Sequence, residues 1–269
     1  MDNRPIGFFD SGLGGLTCIP NLVDRLPEEK IIYFGDTART PYGSKALSTI
    51  QKFSLQIADF LIGHDVKMIV IACNTVSATC LEMIQNRYPK VPILGIIQPA
   101  AQKVINTCGA DNRIGIIGTK ATIGSHAYRT IIETFRPQLT VFEEATPAFV
   151  PLIEEGIITN DIMDLMIRYY LDDFVLEKRL DTLVLGCTHY PLIRENIERL
   201  YPGLKIINPS SEVVHSIEYV LRERNMLAAG SETTNTFYAS DLSENFRNMI
   251  DRIFRHTDVR VAFKNLDME

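Results

Sequence analysis

Ile69-Val70-Ile71-Ala72-Cys73-Asn74-Thr75 and Leu183-Val184-Leu185-Gly186-Cys187-Thr188-His189 each set a cysteine at the end of an apolar run. An apolar run without polar alternation predicts a strand covered on both faces, as in a parallel sheet. The polar residues after each cysteine predict the turn into a helix. Two thiols delivered by two half-alike units suit chemistry on both faces of one carbon atom.

Outward from these runs, short β-branched segments alternate with amphipathic ones. Residues 6–9, 31–34, 68–72 and 93–97 read as strands, and 46–62 and 77–87 as helices. The pattern resumes with strands over 114–117, 139–142, 182–185 and 205–207. This alternation predicts βαβ units, hence an α/β fold with mostly parallel sheets.

A weak repeat runs through the chain. Ile6-Gly7-Phe8-Phe9-Asp10-Ser11 aligns with Ile114-Gly115-Ile116-Ile117-Gly118-Thr119 at an offset of 108 residues, and the two cysteines lie 114 apart. Each cysteine run is followed by Tyr-Pro (Tyr88-Pro89, Tyr201-Pro202), then by an apolar run closed with an amide and a proline (Gln98-Pro99, Asn208-Pro209). Landmarks recurring in one order favour duplication. The two proline joints are the expected crossings, giving one domain from 1–98 plus 208–269 and a second from 99–207. A helix over 212–224, a strand over 233–239 and a helix over 243–255 complete the first. Ligands of open parallel sheets bind outside the carboxyl ends of the strands. Both cysteines are expected there, facing one cleft.

Composition excludes several classes. With 27 Lys and Arg against 33 Asp and Glu, the net charge of −6 argues against a nucleic-acid partner. No run approaches the roughly 20 apolar residues of a membrane helix, so no membrane partner is expected. The first strand is expected from residue 6 with no leader ahead of it. Five cysteines at irregular spacing read as free thiols of a reducing compartment, which places the protein in the cytoplasm. Apolar helix faces leave a homodimer open.

Cys18, Cys80 and Cys108 read as small core residues. Cys73 and Cys187 differ, because a helix N-terminus after a strand lowers a thiol pKa from roughly 8.5. His189, two residues beyond Cys187, is placed to hold or receive a proton. A structural zinc would need four ligands in close pairs, and the chain has no Cys-x-x-Cys or His-x-x-x-His, so no metal is expected. Asp10-Ser11-Gly12-Leu13-Gly14-Gly15 follows the first strand as a tight or anion-binding turn, with Asp10 set to manage a proton beside a bound carboxylate. Asp36-Thr37-Ala38-Arg39-Thr40-Pro41-Tyr42-Gly43 follows the second strand, as a surface loop or a wall of the cleft. Val150-Pro151-Leu152-Ile153-Glu154 leads into a helix, and Glu154 is the acid expected near Cys187.

Taken together, Phe9-Asp10-Ser11-Gly12-Leu13-Gly14-Gly15, Pro41-Tyr42-Gly43, Ala72-Cys73-Asn74-Thr75-Val76-Ser77-Ala78, Val150-Pro151-Leu152-Ile153-Glu154 and Leu185-Gly186-Cys187-Thr188-His189-Tyr190-Pro191-Leu192 resemble the glutamate racemases of the aspartate/glutamate racemase superfamily. The resemblance implies two pseudo-symmetric Rossmann-like domains with the active site between them. It also implies cofactor-free, two-base racemisation of glutamate, supplying D-glutamate for peptidoglycan. Cys73 would take the α-proton from D-glutamate and Cys187 from L-glutamate. Asp10, His189 and Glu154 would tune or relay protons. Ser11, Asn74, Thr75 and Thr188, with turn amides near Tyr42 and Gly43, would hold the substrate; Thr119 and Thr122 are further donors. A racemase of aspartate or another amino acid, a cysteine hydrolase with His189 as base, and a two-domain solute-binding protein are the rival readings.

Overall fold

The structure, a computed structural model, describes residues 1–230, 234–254 and 259–266. Among the described residues, ten strands form two sheets. β1 (Ile6–Asp10), β2 (Ile31–Gly35), β3 (Met68–Ile71), β4 (Ile93–Gly95), β9 (Asn235–Ala239) and β10 (Val259–Phe263) make the first. β5 (Arg113–Gly118), β6 (Thr140–Ala145), β7 (Thr182–Gly186) and β8 (Lys205–Ile207) make the second. Every pairing is parallel. The strand order is β10-β9-β2-β1-β3-β4 in one sheet and β6-β5-β7-β8 in the other. The four-strand order β2-β1-β3-β4 thus recurs as β6-β5-β7-β8, matching the sequence repeat. β1, β2, β3 and β7 are buried along their whole length, as their unbroken apolar runs require.

Two helices join the sheets. Helix Ile97–Thr107 buries Ile97, Ala100, Ala101, Val104 and Ile105, one face at helical spacing. Helix Pro209–Glu223 buries Val213, Val214, Ile217 and Leu221. Both pack into one apolar cluster with Val70 and Ala72 of the first sheet and Ile114, Ile116 and Val184 of the second. Asn208 caps the second of these helices, accepting from the Ser210 N–H at 3.0 Å, and Pro209 fills its first position, where no N–H is required.

Several elements differ from the sequence reading. The strand expected over 93–97 stops at Gly95, and Gln98-Pro99 lie inside the first turn of a helix. Ser77 causes the stop: its Oγ donates to the Ile71 carbonyl and accepts from the Ile96 N–H. The helix expected over 77–87 is two, Asn74–Thr79 and Leu81–Arg87. The Thr79 hydroxyl bonds back to the Thr75 carbonyl at 2.7 Å, an arrangement that bends helices. The strand at 139–142 runs on to Ala145, with Glu143 and Glu144 on a sheet edge. β10 was not expected at all. Thr233 and Arg255, the ends of two expected elements, lie outside the described residues.

At the pole opposite the cysteines, Lys67 is 1% exposed and ion-paired with the buried Glu29. Its ammonium also donates to the carbonyls of Asp2 and Met226, each at 2.7 Å, tying three distant stretches together. Replacing Lys67 by Met strands the Glu29 carboxylate in the interior. The expected loss is about 3–5 kcal/mol, measured by urea unfolding, with part recovered when Glu29→Gln is added.

Candidate active site

The site is built around the carboxyl ends of the strands. Asp10 ends β1 and Ser11 follows it, Cys73 follows β3 and precedes helix Asn74–Thr79, Thr119 follows β5, and Cys187 follows β7. Ser11, Pro41, Tyr42, Gly43, Cys73, Asn74, Thr75, Thr119, Val150, Cys187, Thr188 and His189 line one narrow pocket between the sheets. No lysine or arginine is among them.

Cys73 is 4% exposed and Cys187 6%. The Cys73 Sγ donates to Ser11 Oγ at 3.5 Å. Burial pushes its pKa up, and the nearby Asp10 charge adds to this, so Cys73 rests as a thiol. The Cys187 Sγ instead faces Nδ1 of His189 at 3.8 Å. The other ring nitrogen, Nε2, donates to Glu154 Oε1 at 2.9 Å. Burial opposes the imidazolium, but its hydrogen bonds to Cys187 and Glu154, with the Cys187 and Asp10 charges, outweigh that and push it up to about 10. Two chemically identical thiols therefore stand in unlike electrostatic surroundings.

Asp10 is fully buried behind the pocket wall. Its carboxylate accepts from the N–H groups of Gly12 and Gly15, and Thr188 Oγ1 donates to it at 3.5 Å. Burial raises its pKa; the His189 charge and the Gly15 N–H work the other way. The last two glycines of the turn are needed for space. A Cβ at Gly14 would meet His189 Nδ1 at 2.5 Å, and one at Gly15 would meet Asp10 Cβ at 2.6 Å.

Of the expected residues, Cys73, Cys187, Ser11, Tyr42, Gly43, Asn74, Thr75, Thr188 and His189 line the pocket, while Asp10 and Glu154 stand behind it. Glu154 reaches His189 and Thr40 rather than the cavity itself. The Tyr42 hydroxyl is taken by Asp36, which also accepts from Ser240 Oγ at 2.7 Å, so that turn presents its backbone. Pro41 lines the pocket with the turn that carries it, and Val150 is a wall residue the sequence reading does not include. Thr119, expected as a further donor, bonds Thr75 Oγ1 across the cleft at 2.9 Å and Thr122 Oγ1 at 3.0 Å. The repeat had signalled it, since Thr119 aligns with Ser11. Among the described residues no three His, Cys, Asp or Glu side chains are grouped to hold a metal ion.

A family model described as Asp/Glu/Hydantoin racemase matches residues 15–217. The chain belongs to this racemase family. Members similar to it include a glutamate racemase of Neisseria gonorrhoeae, 41% identical over 264 residues and covering 98% of this chain and 97% of that one. A glutamate racemase of Geobacter metallireducens is 42% identical over 248 residues, 91% of each chain. Among solved structures, glutamate racemase from Francisella tularensis in complex with D-glutamate superposes with a TM-score of 0.92, at 39% identity and full coverage of both chains. Racemases are isomerases, and no helix among the described residues is long and apolar enough to cross a membrane.

His189 binds its proton more tightly in the folded chain than in the unfolded one, where imidazole titrates near 6.5. Its contribution to stability is therefore complete below about pH 6.5 and is lost as pH rises through about 10. An NMR titration should show the His189 ring changing state near pH 10. A midpoint close to 6.5 would contradict the Cys187–His189–Glu154 contacts.

Proposed function

We propose that this chain interconverts L- and D-glutamate without a cofactor, by proton transfer between its two cysteines across one α-carbon. Its support is one observation above all: two thiols from matching strand ends line the same narrow pocket. The glutamate racemases at 41–42% identity support the choice of substrate.

In the L-to-D direction, Cys187 as thiolate takes the α-proton and the C–H electron pair stays on the α-carbon. Cys73 as thiol then gives its proton to the opposite face, and the enzyme is left with Cys187 as thiol and Cys73 as thiolate. That form is the one ready for D-glutamate. The α-hydrogen is far less acidic than a thiol, so donors must hold the substrate carboxylate and blunt the developing charge. Asn74, Thr75, Thr188, Ser11 and the Tyr42-Gly43 backbone take that part. His189 serves the Cys187 side, held by Glu154, and Asp10 serves the Cys73 side. The reading carries with it the two-domain division at about residues 98 and 208. It also carries a cytoplasmic role in supplying D-glutamate for peptidoglycan, which rests on family membership.

Circular dichroism of L-glutamate incubated with metal-stripped protein should decay to zero, the racemic endpoint. A flat trace from folded protein, with decay of L-aspartate instead, would move the substrate; no decay of either would end the reading. Cys73→Ser and Cys187→Ser should each abolish turnover in both directions while the fold survives. A variant keeping near-normal turnover would refute the two-thiol mechanism. Because the equilibrium constant of a racemisation is unity, kcat/KM must fall equally in both directions in any variant. His189→Ala should therefore show its asymmetry in kcat, with L-glutamate losing more than D-glutamate.

A further inference from the structure

Tyr128 belongs to helix Ala127–Phe135 of the second sheet's half, outside every motif read from the sequence. It is 1% exposed, and its hydroxyl donates to Asn74 Oδ1 at 2.6 Å. Asn74 is itself 2% exposed and lines the pocket immediately after Cys73. The Asn74 Nδ2 is buried and has no hydrogen-bond partner. A buried amide donor left unpaired is unfavourable, so it marks a place where a ligand acceptor is expected.

The hydroxyl also fixes which way the amide points. A phenol is both donor and acceptor, whereas an amide offers an acceptor on one side and donors on the other. Burial first, and then the Cys187 charge, raise the Tyr128 pKa, which keeps its proton in place. That proton needs an acceptor, and Asn74 Oδ1 is the one in reach. With Oδ1 held, the NH2 group has to face the pocket. The Tyr128 ring is seated against the other half of the site, since a Cβ at Gly186, next to Cys187, would come within 3.4 Å of its Cε2.

We infer that Tyr128 is a positioning residue, which orients the Asn74 amide so that its NH2 donates to a substrate oxygen on the Cys73 side. The inference rests on the glutamate racemase reading. It also means that a donor on one half of the site is aimed by a side chain of the other half. Closure of the two halves then assembles a donor that neither half supplies alone.

A double-mutant cycle on L-glutamate racemisation tests this. Tyr128→Phe keeps the ring and removes the hydroxyl, and should lower kcat/KM roughly tenfold or more in the wild-type background. In an Asn74→Ala background the same change should cost less than about twofold, because the group it orients is gone. An equal loss in both backgrounds would make Tyr128 a packing residue and overturn the inference. Should the double variant turn over too slowly, the same cycle is read on the calorimetric Kd for D-glutamate, with the same two outcomes. Wild-type protein that racemises glutamate without coupling between the two positions refutes Tyr128's role alone. Wild-type protein that neither racemises nor binds glutamate refutes the underlying reading, and the inference with it.

Discussion

One buried positive charge governs the site. The pocket walls carry no lysine or arginine, and Arg39, the nearby cation of the motifs, is committed to Asp36 and Gln56. The imidazolium of His189 must therefore answer to Cys187, Glu154 and Asp10 together. In a space that excludes water, a charge without a partner is too costly to keep, and the Cys73 thiol, bonded to Ser11 rather than to that imidazolium, holds its proton. Burial drives Cys73 that way, whereas at Asp10 the His189 charge and the Gly15 N–H oppose the effect of burial. The inequality of two identical thiols is thus a property of their neighbours.

The backbone makes room for this arrangement at a few positions. The turn after β1 brings Gly14 against His189 and Gly15 against Asp10, so the first strand's loop fits closely beneath residues from both sheets. Gly43 does the same on the other wall, where a Cβ would collide with Thr119 Cβ. Hydrogen bonds then cross the seam at several heights. Thr17 donates to the Thr188 carbonyl, the Thr75 and Thr119 hydroxyls hydrogen-bond to each other, and Asn245 donates to the Glu154 carbonyl at 2.6 Å. Each half of the pocket is completed by the other, which is why a chain built from a repeat still needs both copies.

Much of this was legible in the residues. Unbroken apolar runs locate the buried strands, and the change to polar residues after Cys73 and Cys187 locates the strand ends where function gathers. Repeat alignment even pairs Ser11 with Thr119. What stayed hidden is long-range or conditional. Tyr128 sits on an amphipathic helix face that reads as ordinary core, and only the folded chain brings it to Asn74. Ser240 and Asp36 meet across sheet neighbours β9 and β2. The early end of β4 depends on a serine hydroxyl from another element. β10 lies on a sheet edge, partly exposed, without the continuous apolar run that marks the central strands.

The order of the strands has a consequence for biosynthesis. The second sheet is contiguous in sequence, and all its strands have left the ribosome once Ile207 is out. The first sheet is not: β2 emerges early, but its outer neighbour β9 begins only at Asn235. At about 5–20 residues per second, the nascent chain carries β2 with an open edge for roughly ten seconds or longer. Unpaired edges recruit other strands, and ribosomes on one message hold identical chains close together. For the nascent chain, the later-made half of the protein is the safer one, and the earlier-made half waits longest for its last strands.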